Sequence, residues 1–316
     1  MKGKECLDKI ERATEEIHKV VVGLDDLIQA LWIGALADGH LIIKGLPGLA
    51  KTLTAKTFAA VIGATYKRMQ FSPDVMPLDV VVGYDIFAPS EKKLPDLKKG
   101  PIFTQIYLGD EINRAPEKVQ AIHMEPMEEK QVTIEGKTYP LGDLFLCFFT
   151  LNPVEIMGTY GLGEAFAERV MLIPTVYYPP EELEREIVAV SDEAKKAKVE
   201  KIISVEEILE LRKVINNHYL PLKDKDSPAI RYIVRLVREV RKTKWVEYGP
   251  SPRGGEDLKA ASRVFAFLKG DEIVLPEHVK EIAKMALREK ITLTGEAAGI
   301  SHDQVIEEAL DRTPIL

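Results

Sequence analysis

The clearest chemical signal in the sequence is an eight-residue segment, Gly45-Leu46-Pro47-Gly48-Leu49-Ala50-Lys51-Thr52. It follows an apolar run, Leu41–Lys44, that reads as a strand, and it opens a helical pattern beginning near Lys51. A glycine-bearing loop between strand and helix turns backbone N–H groups and the helix N-terminus toward an anion. In such a loop Lys51 reaches the β- and γ-phosphates of ATP, and the Thr52 hydroxyl ligates Mg²⁺. Gly45, Pro47, Gly48, Leu49, Ala50 and Leu53 complete the expected cradle. The strict motif has glycine where Ala50 stands, so a negative φ is expected there to accommodate the methyl group. Taken alone, the segment also fits a tight strand-to-helix turn with a chance Lys-Thr pair.

A second apolar run, Ile106–Leu108, is followed by Gly109 and the acid pair Asp110-Glu111. Ligands of parallel α/β sheets bind at the carboxyl ends of strands, so this pair is expected beside the loop. Asp110 would hold Mg²⁺, directly or through water, and Glu111 would orient and deprotonate the attacking water. An isolated Asp-Glu pair is usually only a turn; the upstream loop is what gives this one meaning. A third run, Leu144–Thr150, leads to Asn152-Pro153. The Asn152 amide could position the same water, and an ordinary Asn-Pro turn is the equal alternative.

These groups need a scaffold that brings strand ends together. Candidate strands Leu41–Lys44, Lys67–Phe71, Ile106–Leu108 and Leu144–Phe149 alternate with helical patterns at Lys51–Ile62 and Pro116–Glu129. Such alternation predicts a parallel sheet covered by helices over residues 1–180. After Pro179-Pro180 the pattern becomes helical throughout, with segments at 181–199, 204–217, 227–244, 252–269, 276–290 and 301–311 and no strand. The fold class read from this is α/β, a nucleotide-binding core with helix-flanked parallel sheet, followed by an all-α lid over 181–316.

Composition sets further bounds. The 316 residues carry a formal charge of −7, which disfavours a dedicated nucleic-acid binder. Arg231, Arg235, Arg238 and Lys242 share one helical face, but a solvated face or subunit contact explains that stripe better than nucleic acid, since no aromatics interleave. Cys6 and Cys147 are unclustered, the six histidines lack ligand spacing, and Met69, Met76, Met124 and Met127 read as packing residues. The N-terminus lacks an apolar signal core and no run approaches 18 apolar residues, so a soluble cytoplasmic protein without membrane contact is expected.

Across nearly its whole length the sequence resembles the MoxR family of AAA+ ATPases. The resemblance is carried by VVVG (Val20–Gly23), GLPGLAKT (Gly45–Thr52), QFSPDVMP (Gln70–Pro77), GPIF (Gly100–Phe103) and DEINRAPEKVQ (Asp110–Gln120). EKQVTIEGKTYPL (Glu129–Leu141), NPVE (Asn152–Glu155), GTY (Gly158–Tyr160) and SPR (Ser251–Arg253) extend it. The alanine before Lys51 is usual in that family. The resemblance implies an ATPase acting as a chaperone-like remodeller of proteins, usually a hexameric ring, often with a partner carrying a von Willebrand factor A domain. It implies that Val22 and Gly23 lie near the adenine, that Asn152 reads the γ-phosphate, that Arg169 is a finger delivered to a neighbour's ATP, and that Arg253 is a second sensor on the lid. It also implies two inserted hairpins, at about 70–99 and at 131–141 with a turn at Glu135-Gly136.

Several positions depart from the family pattern. Leu24 replaces a usual glutamine near the adenine, Pro126 is expected to kink the helix after Asp110-Glu111, and Gly161 and Gly163 replace prolines. Ala167-Glu168-Arg169-Val170 replaces the more usual Leu-Asp-Arg-Phe. The pattern suits a divergent member, and equally a sequence redesigned on a family backbone. The competing function is an ATP-binding oligomeric scaffold with little turnover; a nucleic-acid motor is a third, disfavoured by acidity and by the family-specific segments.

Overall fold

The structure is a computed structural model that describes residues 3–83, 99–154, 158–217, 222 and 224–315. Helices α1 (Gly3–His18) and α2 (Asp25–Ala37) precede β1 (Leu41–Gly45), which runs into α3 (Lys51–Val61). β2 (Tyr66–Gln70) and the short α4 (Pro77–Val81) lead to β3 (Ile106–Asp110), a 3₁₀ turn at Ile112–Arg114, α5 (Glu117–Ala121) and α6 (Met124–Glu129). A hairpin of β4 (Gln131–Ile134) and β5 (Lys137–Pro140), then β6 (Leu146–Leu151), α7 (Glu164–Ala167) and β7 (Thr175–Val176) complete the α/β part. Beyond Pro180 come α8 (Glu181–Ala189), α9 (Ser191–Lys196), α10 (Val205–Asn217), α11 (Pro228–Lys242), β8 (Val246–Tyr248), α12 (Pro252–Leu268), α13 (Pro276–Leu287), β9 (Thr292–Leu293) and α14 (His302–Asp311).

The main sheet is parallel, ordered β2-β3-β6-β1-β7. Side chains alternate between faces along a strand, and in β1, β3 and β6 both faces are buried, whereas the edge strand β2 is partly exposed. Leu41, Ile43, Ile106, Leu108, Leu146 and Phe148 enter one apolar layer. Ile42, Tyr107, Cys147 and Phe149 enter the other. That two-sided burial is why these strands read as continuous apolar runs. The first layer continues through α2 and α3 into α10 to α14, so the sheet and the helices after Pro180 share one core.

Several sequence expectations change in detail. The helix expected over Pro116–Glu129 is two helices, because the chain breaks at Ile122-His123. Pro126 then falls in the first turn of α6, where its missing N–H leaves no helical bond unmade. The second half does contain strands: β8 and β9 pair antiparallel through Val246↔Leu293 and Tyr248↔Thr292. Two or three residues are too few to show a period of two, so the ribbon left no pattern to read. The hairpin of β4 and β5 turns at Glu135 (φ 50°) and Gly136 (φ 79°), the two positive-φ residues that a two-residue turn between twisted strands requires. Half of the other expected insertion, at about 70–99, falls on residues 84–98 and lies outside the described residues. On α11, Arg231, Arg235, Arg238 and Lys242 are all exposed, while Ile233, Leu236 and Val240 are buried.

Ala50, which precedes α3, has φ 53° and ψ 14°, contrary to the negative φ expected there. The left-handed conformation costs a Cβ-bearing residue roughly 1–2 kcal/mol. The loop accepts this because the Ala50 carbonyl receives both the backbone N–H of Thr54 (2.8 Å) and its hydroxyl (2.9 Å). Ala50→Gly is expected to stabilise the fold by about 0.5–1 kcal/mol, the relief of strain less the added entropy of the unfolded chain. The midpoint of urea unfolding measures it; an unchanged or lower midpoint would show that the turn stores no strain.

His40 and His123 are buried and neutral. The backbone N–H of Cys147 donates to Nδ1 of His40 (3.0 Å), so its Nε2–H donates to the Met127 carbonyl (2.9 Å) and ties β6 to α6. His123 packs among Phe71, Tyr107, Phe149 and Phe166. Burial pushes both imidazoles down to about 4 from an ordinary 6.5. Between those values the unfolded chain binds the extra protons, so the stabilisation is complete above about 6.5 and is lost as pH falls toward about 4. The expected loss is roughly 3 kcal/mol per histidine, read from unfolding midpoints between pH 7 and 4. His123→Phe should flatten that acid limb; an unaltered pH slope would exclude His123 as a source.

Candidate active site

β1, β3 and β6 are adjacent in the sheet and end on the same side, and this places the three sequence-predicted segments together. Lys51 is 9% exposed and folds back on its own loop, donating to the carbonyls of Gly45 and Leu46, the latter at 2.6 Å. Burial lowers the pKa of its ammonium, opposed by the carboxylates of Asp110 and Glu111. Those carbonyls are neutral acceptors, so a phosphate would compete for the lysine with full charge. Within the loop Gly45 is buried, Pro47 and Gly48 are exposed, and Leu49 packs against the first apolar layer. Leu53 is 42% exposed on α3.

Thr52 Oγ1 donates to Asp110 Oδ2 at 3.2 Å, joining the start of α3 to the end of β3. Asp110, 8% exposed, is held from both neighbouring strands: Arg68 of β2 donates to Oδ2 through Nε (2.9 Å) and NH2 (2.6 Å), and the Thr150 hydroxyl of β6 donates to Oδ1. The Thr52 hydroxyl and the Asp110 carboxylate are hard oxygen donors within one coordination sphere of each other, which fits Mg²⁺. Among the described residues no group of three or more His, Cys, Asp or Glu could hold a metal alone. Two protein oxygens suit Mg²⁺, which binds through one or two protein groups together with phosphates.

Glu111 has φ 59° and ψ 54°, a left-handed backbone that its own N–H supports by donating to Thr150 Oγ1 at 2.8 Å. A strained non-glycine residue of this kind is characteristic of functional positions. Its carboxylate accepts from Gln70 Nε2 (2.8 Å) and pairs with Arg114 Nε (3.0 Å). Sequence reasoning missed Arg68, Gln70, Arg114 and Thr150. The signal was available in β2: Gln70 is in register with Asp110, and Arg68 lies two residues earlier on the same face.

Asn152 follows β6, but its side chain is committed locally. Oδ1 accepts from the N–H of Val154 (3.3 Å), and its carbonyl accepts from Asn113 Nδ2 (3.2 Å). It borders a cleft of about 500 Å³ with Asn113, Tyr160 and Glu164. A second cleft of about 460 Å³ runs from Gly45 and Leu46 to Arg288 and His302 beyond Pro180. Val22 and Gly23 lie where the core meets α8: Gly23 has φ 68°, and a Cβ there would stand 2.7 Å from Leu183.

Arg169 and Arg253 are brought together at one carboxylate. Both pair with Glu128 at the end of α6, Arg169 through Nε and Arg253 through NH1, each at 2.9 Å. The two guanidinium groups, Arg253 first, hold the Glu128 carboxyl below the usual range. Nothing in the spacing of Glu128 had marked it.

Comparison with known proteins agrees with this geometry. Residues 40–172 match the model of the ATPase family associated with various cellular activities, and residues 238–309 match the AAA lid domain. The chain is 36% identical to chaperone MoxR1 of Mycobacterium tuberculosis, covering 95% of this chain and 81% of that protein. It is 32% identical to the uncharacterised protein YeaC of Bacillus subtilis, covering 96% and 94%. The solved structure of a candidate ATPase from Cytophaga hutchinsonii superimposes with a TM-score of 0.89 at 36% identity, covering 99% of this chain and 97% of that one. Sheet order, strand-end acids and phosphate loop thus fall within a shared sequence background, and the chain belongs to the MoxR family of AAA+ ATPases.

Proposed function

We propose that the protein hydrolyses ATP with Mg²⁺ at the ends of β1, β3 and β6, and that a ring of subunits uses the cycle to remodel or mature protein partners. The observation that carries this reading is the junction of Thr52, Asp110 and Glu111, in which a would-be metal pair and a strained carboxylate are joined through Thr150. Lys51 would leave its carbonyls for the β- and γ-phosphates, and Thr52 and Asp110 would hold Mg²⁺, which neutralises charge developing on the phosphoryl oxygens. Glu111 would accept the proton of the attacking water, with Gln70 and Arg114 setting the carboxylate's direction. Val22 and Gly23 would border the adenine, and Asn152 would contact the γ-phosphate after its turn rearranges. Arg169, and with it Arg253, would stabilise the transferred phosphoryl group of a neighbouring subunit.

A hexamer, a partner with a von Willebrand factor A domain and a cytoplasmic location are part of the same reading, and its support for them is the family. Among the described residues no helix is long and apolar enough to cross a membrane. The alternative, an ATP-binding scaffold with negligible turnover, is favoured by one feature: Arg68 already occupies the Asp110 oxygen that Mg²⁺ would use.

Mg²⁺-dependent ATP hydrolysis measured against protein concentration separates the two. Specific activity should rise with concentration, and Glu111→Gln should lose about 10²–10⁴-fold in turnover while still binding ATP. ATP binding without hydrolysis in both proteins would establish the scaffold. Arg169→Ala should cost on the order of 10³-fold in turnover if its guanidinium acts on the phosphoryl group; turnover equal to the parent would remove the finger from the mechanism.

A further inference from the structure

Glu128 divides its two carboxylate oxygens between arginines from distant parts of the chain. Oε2 accepts from Nε of Arg169, just after α7, and Oε1 accepts from NH1 of Arg253, in the first turn of α12, each at 2.9 Å. A second tie runs alongside: Ser251 Oγ donates to Glu168 Oε2 at 2.6 Å. Arg169 NH1 also donates to the Ala165 carbonyl at 2.7 Å, which fixes the plane of that guanidinium. Two guanidinium groups at one place repel each other, and the carboxylate between them offsets that repulsion. A guanidinium carries five N–H donors. The bonds above use Nε and NH1 of Arg169 and NH1 of Arg253, so each retains N–H groups for phosphate oxygens without leaving Glu128.

We propose that Glu128 is a positioning residue that holds Arg169 and Arg253 as one two-pronged cation, presented to the phosphates of a nucleotide bound by a neighbouring copy of this chain. The inference rests on the reading of these arginines given above and adds the group that sets their geometry. Long side chains in separate segments would otherwise sample many rotamers, and fixing them beforehand lowers the cost of meeting the transition state. The carboxylate is 44% exposed and the arginine side chains are 22% and 38% exposed. At that exposure the pairs are weak enough to be shared with a more highly charged triphosphate. Because α6 carries Glu128 and α12 carries Arg253, the unit also links the finger to the helices after Pro180.

The test compares the full chain with Glu128→Gln, Arg169→Ala/Arg253→Ala and the triple variant, reading kcat, KM for ATP and amide exchange. Glu128→Gln is expected to lower kcat by about tenfold with KM within about twofold, since the lost effect belongs to the transition state. The triple variant should be no slower than the double, because a residue that acts only through the arginines has nothing left to position. Parental kcat in Glu128→Gln, or a triple variant slower than the double by the full Glu128→Gln factor, overturns the proposal. If the parent itself does not hydrolyse ATP, the proposed function fails and exchange alone decides on Glu128. Glu128→Gln should then raise exchange over residues 164–170 and 251–256 together, and parental protection in either segment overturns the inference.

Discussion

A carboxylate buried at the end of a central strand has to be satisfied from all sides, and Asp110 is that carboxylate. Its oxygens draw on the guanidinium of β2, the hydroxyl of β6 and the hydroxyl that begins α3. A buried charge left without partners costs several kcal/mol, so those three elements are constrained to approach in one arrangement. Strand order follows the same demand, with β3 between β2 and β6 and β1 beyond, its loop curling back over the acid. The electrostatics of the site and the topology of the sheet are therefore one constraint, seen once in charge and once in hydrogen bonds.

The same junction shows how conformational strain is distributed. Ala50 and Glu111 both adopt left-handed backbones, and each is supported by a threonine: Thr54 bonds the carbonyl of Ala50, and Thr150 accepts from the amide of Glu111. Thr150 also donates to Asp110, so one hydroxyl fixes the backbone of one acid and the side chain of the other. Site geometry is thus held by short polar side chains in the sheet and α3, not by the loops that reach toward the ligand.

Much of this was legible in the sequence because it rests on local chemistry. The loop from Gly45 to Thr52, the acids after Ile106–Leu108 and the alternation of strands with helices are patterns within a few residues. The four longest strands fall within two residues of where their apolar runs lie. What was not legible depends on register or on partners remote in the chain. Arg68 and Gln70 acquire meaning only when β2 pairs with β3, and Glu128 only when α12 returns across more than a hundred residues. The ribbon of β8 and β9 is too short for periodicity, and the sign of φ at Ala50 is set by the whole turn. The partners of Asn152 are its own turn and Asn113, which no spacing in the sequence marks.

The apolar layer that runs from the main sheet into α10–α14 has a mechanical consequence. Opening a hinge between sheet and lid would expose surface that stabilises the fold by about 25 cal/mol per Å². Small rotations are cheap against such a penalty and wide gaping is not. A chain built this way moves its lid and its sheet together, as one stiff body whose bending is confined to small angles.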